Sequence, residues 1–270
     1  MSKIFLDSGN PEETKETIKL LDDLDGQTTN PSLVAKNFVG RKMYEIELLA
    51  FYKKIITEIS ALIPNGSVSI EVYADEKTSV EEMVSQGKMM NFWIPNAHIK
   101  LPITTNGLAA AEKLVKEGIR LNMTLCFSQE QAAAVHSATK GAKKGDVFVS
   151  PFIGRLDDQG ENGMDLIKNI FEMYKTNDSH VEILTASVRS VSHLTRAINI
   201  GSDIITCPLK IIKEWREADP MQELKLENNL RPIEYKKLDL NQAWQNFDIQ
   251  HELTNAGLAK FASDWKSVLI

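Results

Sequence analysis

Eight short apolar runs, each followed by a helical pattern, constrain this chain more than any other feature. The runs fall at 4–7, 24–30, 67–73, 97–101, 120–125, 146–150, 181–186 and 203–206. Near-continuous apolar runs of this length are what parallel strands buried on both faces look like. Between them, helices are predicted at 11–21, 31–37, 41–62, 80–93, 104–117, 128–139, 164–175 and 191–200, and another at 208–217. Asn10 and Asn30 stand just before prolines, and Ser128 opens the 128–139 pattern, so each suits a helix N-cap. Ile46, Leu49, Ile56 and Ile59 give the 41–62 helix its apolar positions. The stretch 154–163 reads as a polar loop. Eight strand–helix units predict an α/β fold, a (β/α)₈ TIM barrel, over an open doubly wound sheet. No GxGxxG or phosphate-loop motif supports the open sheet.

The tail breaks the rhythm. Residues 216–246 are polar and read as an insertion, and 253–269 reads as a closing C-terminal helix with Thr254 as its cap. The whole of 1–270 is expected to be one barrel domain with this helical tail. A single barrel commonly runs to about 250 residues. Apolar positions in the tail suggest self-association into a homo-oligomer.

Charge and cysteine content narrow the function classes. Lys and Arg number 31 against 37 Asp and Glu, a net charge of −6, which argues against a nucleic-acid partner held by bulk charge. Cys126 and Cys207 sit in apolar surroundings and lack the spacing of a zinc site, so they read as small buried hydrophobes. No metal motif is present. No secretory signal opens the chain and no apolar run of about 18 residues exists, so no membrane span is expected and the protein reads as soluble and cytoplasmic.

In a (β/α)₈ barrel, active sites are built at the carboxyl ends of the strands. Here those ends carry Asp7, Asn30, Glu71, Lys100, Asn122, Thr124, Ser150, Arg155, Ser187 and Arg189. Lys100 lies inside an apolar strand, where lysine is rarely buried without a reason. Desolvation favours the neutral amine, a nucleophile toward carbonyls; the alternative is a structural ion pair with Glu71 or Asp7. Asp7 and Glu71 could divide two proton-transfer roles, while Asp7 also suits a turn. Arg155 and Arg189, with Ser187, suit a phosphate, or a surface ion pair of Arg155 with Asp157 or Asp158. His98 has the strand parity to share a face with Lys100. His136, His180, His193, His251 and the four tryptophans read as packing or surface residues.

At these positions the chain resembles the transaldolase family, which includes fructose-6-phosphate aldolases. The segments are KIFLD (3–7), TTNPSL (28–33), IKLP (99–102), NMTLCFS (122–128), SPFIGRLD (150–157) and ASVR (186–189), in the family's order. LTNAGLAKFASDW (253–265) resembles the family's closing helix. Six short motifs in order, each at a predicted strand end, make a specific match.

The resemblance implies an eight-fold barrel enzyme with class I aldolase chemistry and no cofactor, acting on sugar phosphates in the pentose phosphate pathway. It implies Lys100 as the Schiff-base lysine and Asp7 as the acid–base for the ketose C4 hydroxyl. Glu71 and Thr124 would hold the water of carbinolamine dehydration. Asn30, Asn122 and Ser150 would bind hydroxyls of the dihydroxyacetone unit, and Arg155, Ser187 and Arg189 the phosphate. The transferred unit would pass from fructose 6-phosphate or sedoheptulose 7-phosphate to erythrose 4-phosphate or glyceraldehyde 3-phosphate. The competing readings are a fructose-6-phosphate aldolase that releases free dihydroxyacetone and a non-catalytic sugar-phosphate-binding barrel. The aldolases typically carry glutamine at the Glu71 position and tyrosine at the Phe152 position, so Glu71 and Phe152 favour transfer. Gln27 and Val188 depart from the family's common residues, a small one and an aromatic one.

Overall fold

The computed structural model describes residues 2–38, 40–218 and 229–270. Eight parallel strands close into one barrel in chain order: β1 (Lys3–Asp7), β2 (Gly26–Thr28), β3 (Ser67–Glu71), β4 (Ala97–Pro102), β5 (Leu121–Cys126), β6 (Val147–Pro151), β7 (Glu182–Thr185) and β8 (Ile204–Cys207). β8 returns to pair with β1, Lys3 opposite Ile204. The (β/α)₈ barrel expected from the alternation is the observed fold.

Helices cover the outside. α1 (Pro11–Leu21) follows β1, and α2 (Pro31–Ala35) and α3 (Glu45–Leu62) follow β2. α4 (Val80–Asn91), α5 (Thr105–Lys116) and α6 (Gln129–Ala138) follow the next three strands. α7 (Ile153–Asp158) and α8 (Gly163–Thr176) follow β6, α9 (Val191–Ile200) follows β7, and α10 (Leu209–Glu217) follows β8. The caps read from sequence are in place: Asn10 Oδ1 accepts from the Glu12 amide, Asn30 Oδ1 from Leu33, and the Ser128 side chain from Gln131. Each satisfies an amide that the first helical turn leaves unpaired.

The barrel interior changes character along its axis. Near the amino-terminal end it is aromatic: His98 stacks on Phe148 with ring centroids 4.1 Å apart, and Phe5 meets Phe148 edge-on. His98 bonds to Ser67 and to the Gly145 carbonyl, and burial drives its imidazole down to about 3, so it stays neutral. It shares a strand with Lys100 but belongs to this floor. Above the floor the interior turns polar, with Ser69, Asn122 and Ser150 joined side chain to side chain.

Several local expectations are corrected. The stretch 154–163 is not all loop, because α7 forms over its first half. Its turn is held from outside: the amides of Ile153 and Gly154 donate to the carbonyls of Ala186 and Ser187. α3 begins at Glu45, not at 41, because Met43 pairs with the carboxy-terminal end through Val268 and Ile270. Ile46 faces solvent at 78% exposure, so it is no part of the core face. Large exposed apolar side chains lie mostly on α3 and at the end of α4 (Tyr44, Ile46, Phe51, Met89, Phe92), with Tyr235 and Ile270 in the tail. Cys126 and Cys207 are buried free thiols, each pushed up to about 12 by burial.

Of the stretch read as an insertion, 219–228 lies outside the described residues. The chain from Asn229 onward runs along the outside of α8 and α6, fastened by buried side-chain amides. Gln129 exchanges two hydrogen bonds with the backbone of Lys236, and Gln131 Nε2 donates to the Ile249 carbonyl and to Thr254 Oγ1. This path delivers α11 (Glu252–Lys266) to the carboxyl end of the barrel, where it packs on α2 and β5. Its cap is His251, not Thr254; Thr254 is buried and bonds to the Leu125 carbonyl.

Candidate active site

A cavity of about 760 Å³ opens at the carboxyl ends of the strands, roofed by α11. Asp7, Asn30, Lys100, Ser150, Phe152, Arg155 and Ser187 line it. Glu71, Asn122 and Thr124 do not reach its wall but lie buried beneath it. The eleven expected residues therefore sort into a lining group, a supporting group and one residue at the rim, Arg189.

Lys100 and Glu71 are the buried heart of the site. They are direct partners across β3 and β4, and strand parity points both into the barrel. Lys100 Nζ stands 2.9 Å from Glu71 Oε2, with both side chains 4% exposed, and donates to the Thr29 carbonyl at 3.2 Å. Its contact with Oε2 is an ion pair rather than a well-aligned hydrogen bond. Burial pushes the Glu71 carboxyl above the usual glutamate range, and the Lys100 ammonium offsets only part of that push.

Asp7 is raised for the same reason, with burial outweighing Lys100 and a hydrogen bond from Thr28. The Thr28 hydroxyl donates to Asp7 Oδ1 at 2.7 Å and lies 2.7 Å from Thr206 Oγ1. Since its one proton goes to Asp7, Thr206 donates to Thr28. Neither threonine stands out in the sequence reading, although Thr28 opens TTNPSL and Thr206 closes the last apolar run, 203–206.

The supporting group is tightly wired. Asn122 Nδ2 donates to Ser69 and its Oδ1 accepts from Ser150 at 2.6 Å. Thr124 Oγ1 is buried and bonds to no group among the described residues. Asn30 spends its oxygen on capping α2, so its amide N–H groups remain for the cavity.

Two arginines mark the far side. The Arg155 guanidinium lies between two rings, 5.2 Å from the Phe152 centroid and 5.5 Å from that of Phe261. Burial, then the nearby Arg189 charge, lowers its pKa. Arg189 instead pairs with Asp158 at the surface, so the expected surface pair forms with the other arginine. Its side chain crosses Gly154, where a Cβ would fall 2.6 Å from Nε. His193 supports this corner by pairing with Asp157 at 2.9 Å and accepting from the Arg189 amide.

α11 contributes residues that strand ends could not reveal. Phe261 faces both Lys100 and Arg155, and Lys260 and Asp264 pair on the cavity wall, Asp264 also accepting from Ser32. Among the described residues no cluster of three or more His, Cys, Asp or Glu side chains is placed to hold a metal ion.

A closed parallel barrel with a buried amine, two carboxylates and a guanidinium at its carboxyl end defines a (β/α)₈ barrel protein with an enzyme-like mouth. The comparisons are more specific. The transaldolase/fructose-6-phosphate aldolase family model matches residues 4–270. A protein described as a probable transaldolase from Dehalococcoides mccartyi is 38% identical over 266 residues, covering 98% of this chain and 99% of that one. Another of the same description from Roseiflexus sp. is 34% identical, covering 98% and 97%. Among solved structures, 3-hexulose-6-phosphate synthase from Salmonella typhimurium superposes with a TM-score of 0.51 at 13% identity, covering 80% of this chain and 97% of that one, which is a likeness of fold alone. The chain belongs to the transaldolase/fructose-6-phosphate aldolase family, and so to the aldolase and transaldolase enzymes. No helix among the described residues is long and apolar enough to cross a membrane.

Proposed function

We propose that this protein transfers a dihydroxyacetone unit between sugar phosphates through a Schiff base on Lys100. The observation that carries the reading is the buried Lys100–Glu71 pair beside Asp7, under a cavity whose far side presents Arg155. Proton transfer from Lys100 to Glu71 leaves a neutral amine that attacks the ketose C2 carbonyl. Glu71 and the Thr124 hydroxyl, which has no partner among the described residues, handle the water that leaves as the carbinolamine collapses to an iminium. Asp7, its basicity raised by burial, accepts the C4 hydroxyl proton while the C3–C4 bond breaks. The bonding electrons flow into the iminium and leave a neutral enamine on Lys100. The aldose leaves, an acceptor aldehyde enters, and the steps run in reverse.

Asn30, Asn122 and Ser150 hold the hydroxyls of the three-carbon unit. Arg155 and Ser187 take the phosphate at the other end, and the phosphate competes with Asp158 for Arg189. Phe152 offers no hydroxyl to protonate the enamine, and this supports transfer over release of free dihydroxyacetone.

Borohydride reduction with fructose 6-phosphate tests the chemistry. A mass increment on Lys100 is expected, and its absence would sink the enzyme reading. Adding erythrose 4-phosphate should yield sedoheptulose 7-phosphate; accumulation of free dihydroxyacetone instead would identify an aldolase.

A further inference from the structure

The ladder between β2 and β3 stops one hydrogen bond early, and a tyrosine from the outer helix layer takes the vacated place. Thr28 pairs with Ser69, and the Thr29 amide donates to the Ser69 carbonyl at 3.2 Å. In a parallel ladder the next bond would run from the Glu71 amide to the Thr29 carbonyl. Instead the Glu71 amide donates to the Tyr52 hydroxyl at 3.0 Å, and the Thr29 carbonyl accepts from Lys100 Nζ.

Thr29 Oγ1 donates to the Ser69 carbonyl at 2.9 Å, so the proton of the Tyr52 hydroxyl is shared between Thr29 Oγ1 at 3.0 Å and the Glu71 carbonyl at 3.4 Å, while its oxygen accepts from the Glu71 amide. Tyr52 comes from α3, is 1% exposed, and is held edge-on by Trp93 and by Trp265 of α11. Burial pushes its phenol well above the usual tyrosine range, so it remains a neutral donor. Glu71 borders a small cavity of about 90 Å³ on this side, together with Tyr52 and Trp265, so packing alone does not fix the strand end there.

We propose that Tyr52 is a positioning residue for the Lys100–Glu71 pair: by capturing the Glu71 amide it keeps the ladder open and leaves the Thr29 carbonyl free to orient the lysine. The proposal rests on the Schiff-base reading above. Tyr52 touches neither substrate nor the reacting atoms. Without its hydroxyl, the buried Glu71 amide would turn to the acceptor that a continued parallel ladder gives it, the Thr29 carbonyl, and take it from Lys100.

Tyr52→Phe keeps the ring between the two tryptophans and removes only the hydroxyl. The expected result is a fall in kcat for transfer from fructose 6-phosphate to erythrose 4-phosphate of about 10- to 100-fold, the scale of a misplaced reacting group. KM for fructose 6-phosphate should stay within about twofold, because the groups that bind it are untouched. The rate of borohydride trapping on Lys100 at saturating fructose 6-phosphate should fall in parallel with kcat. Thr29→Val, which removes the nearer of the two acceptors of the Tyr52 hydroxyl, should lower both rates by a smaller factor, and Thr29→Ser should recover most of the rate. Wild-type kcat and trapping rate in Tyr52→Phe would overturn the proposal, as would an equal loss in Thr29→Ser and Thr29→Val. If Tyr52→Phe does not fold, the two Thr29 variants decide. Absence of any Lys100 adduct in the wild-type protein would remove the Schiff-base reading and this proposal with it, whereas normal wild-type trapping with insensitive variants would remove this proposal alone.

Discussion

Gly257 sits in α11 directly over the Arg155 guanidinium, which makes its substitution by alanine a sharp test of the phosphate-binding role proposed for Arg155. A Cβ there would stand 2.6 Å from Arg155 Nη1 and 2.6 Å from Leu125 Cδ2. Ordinary contact needs about 3.5 Å, so Arg155 must retreat by roughly 1 Å. Both neighbours are side-chain ends rather than backbone, so they give way before the helix does. Alanine gains about 1 kcal/mol of helix propensity over glycine, and overpacking costs about 1–3 kcal/mol, so stability should fall by about 0–2 kcal/mol, which leaves the fold in place. Binding is a different matter. The stack of Arg155 between Phe152 and Phe261 holds the guanidinium in one place, and a shift of that size breaks a charge-assisted hydrogen bond. Such a bond is worth about 1.5–3 kcal/mol, so kcat/KM for fructose 6-phosphate should fall about 10- to 100-fold. Non-phosphorylated donors such as fructose do not use the guanidinium, and their slow turnover should be unchanged. The assay compares kcat/KM for both donors, with thermal unfolding as the control for folding. Equal losses on both donors, or no loss on the phosphorylated one, would refute the assignment of Arg155 to the phosphate.

Three further outcomes are expected. Asp7 has its pKa raised by burial, so the folded state holds a proton that the unfolded chain releases near pH 4, and the group costs stability as pH climbs through that window and above it. Asp7→Asn should therefore be at least as stable as wild type at neutral pH, with the difference vanishing below about pH 4, read by denaturant midpoints across pH. Lys100→Met leaves Glu71 buried without its cation. It should abolish the borohydride adduct and lower stability by up to about 3–5 kcal/mol near neutral pH, and Lys100→Met combined with Glu71→Gln should recover part of that stability, read by the same unfolding curves. Gln131→Ala removes four side-chain hydrogen bonds that tie α6 to the Phe127 and Ser128 amides, the Ile249 carbonyl and Thr254. A loss of about 3 kcal/mol or more is expected, with faster amide exchange concentrated in α11.

Much of the barrel was legible because parallel strands buried on both faces must be apolar throughout, and capped helices announce their starts. α1 matches its predicted bounds because Asn10 and Pro11 determine its first turn locally. α7 was invisible because its glycine-containing turn is held by carbonyls from the end of β7, residues more than thirty positions away. Ile46 misled because a helical apolar period does not say which positions a neighbouring element covers.

For the site, the sequence alone determined which chemical groups stand at strand ends, since strand parity and chain direction send them to one mouth whatever the details. Tertiary structure decided how they are divided. Lys100 pairs with Glu71 because β3 and β4 are neighbours in register, and Arg189 pairs with Asp158 while Arg155 is clamped by rings. It also brought in Tyr52 from α3 and Phe261 and Gly257 from α11, elements tens to hundreds of residues from the groups they touch. Local sequence encodes backbone geometry and side-chain facing. Which side chain meets which across the barrel depends on closure of the whole sheet and on where the last helix comes to rest.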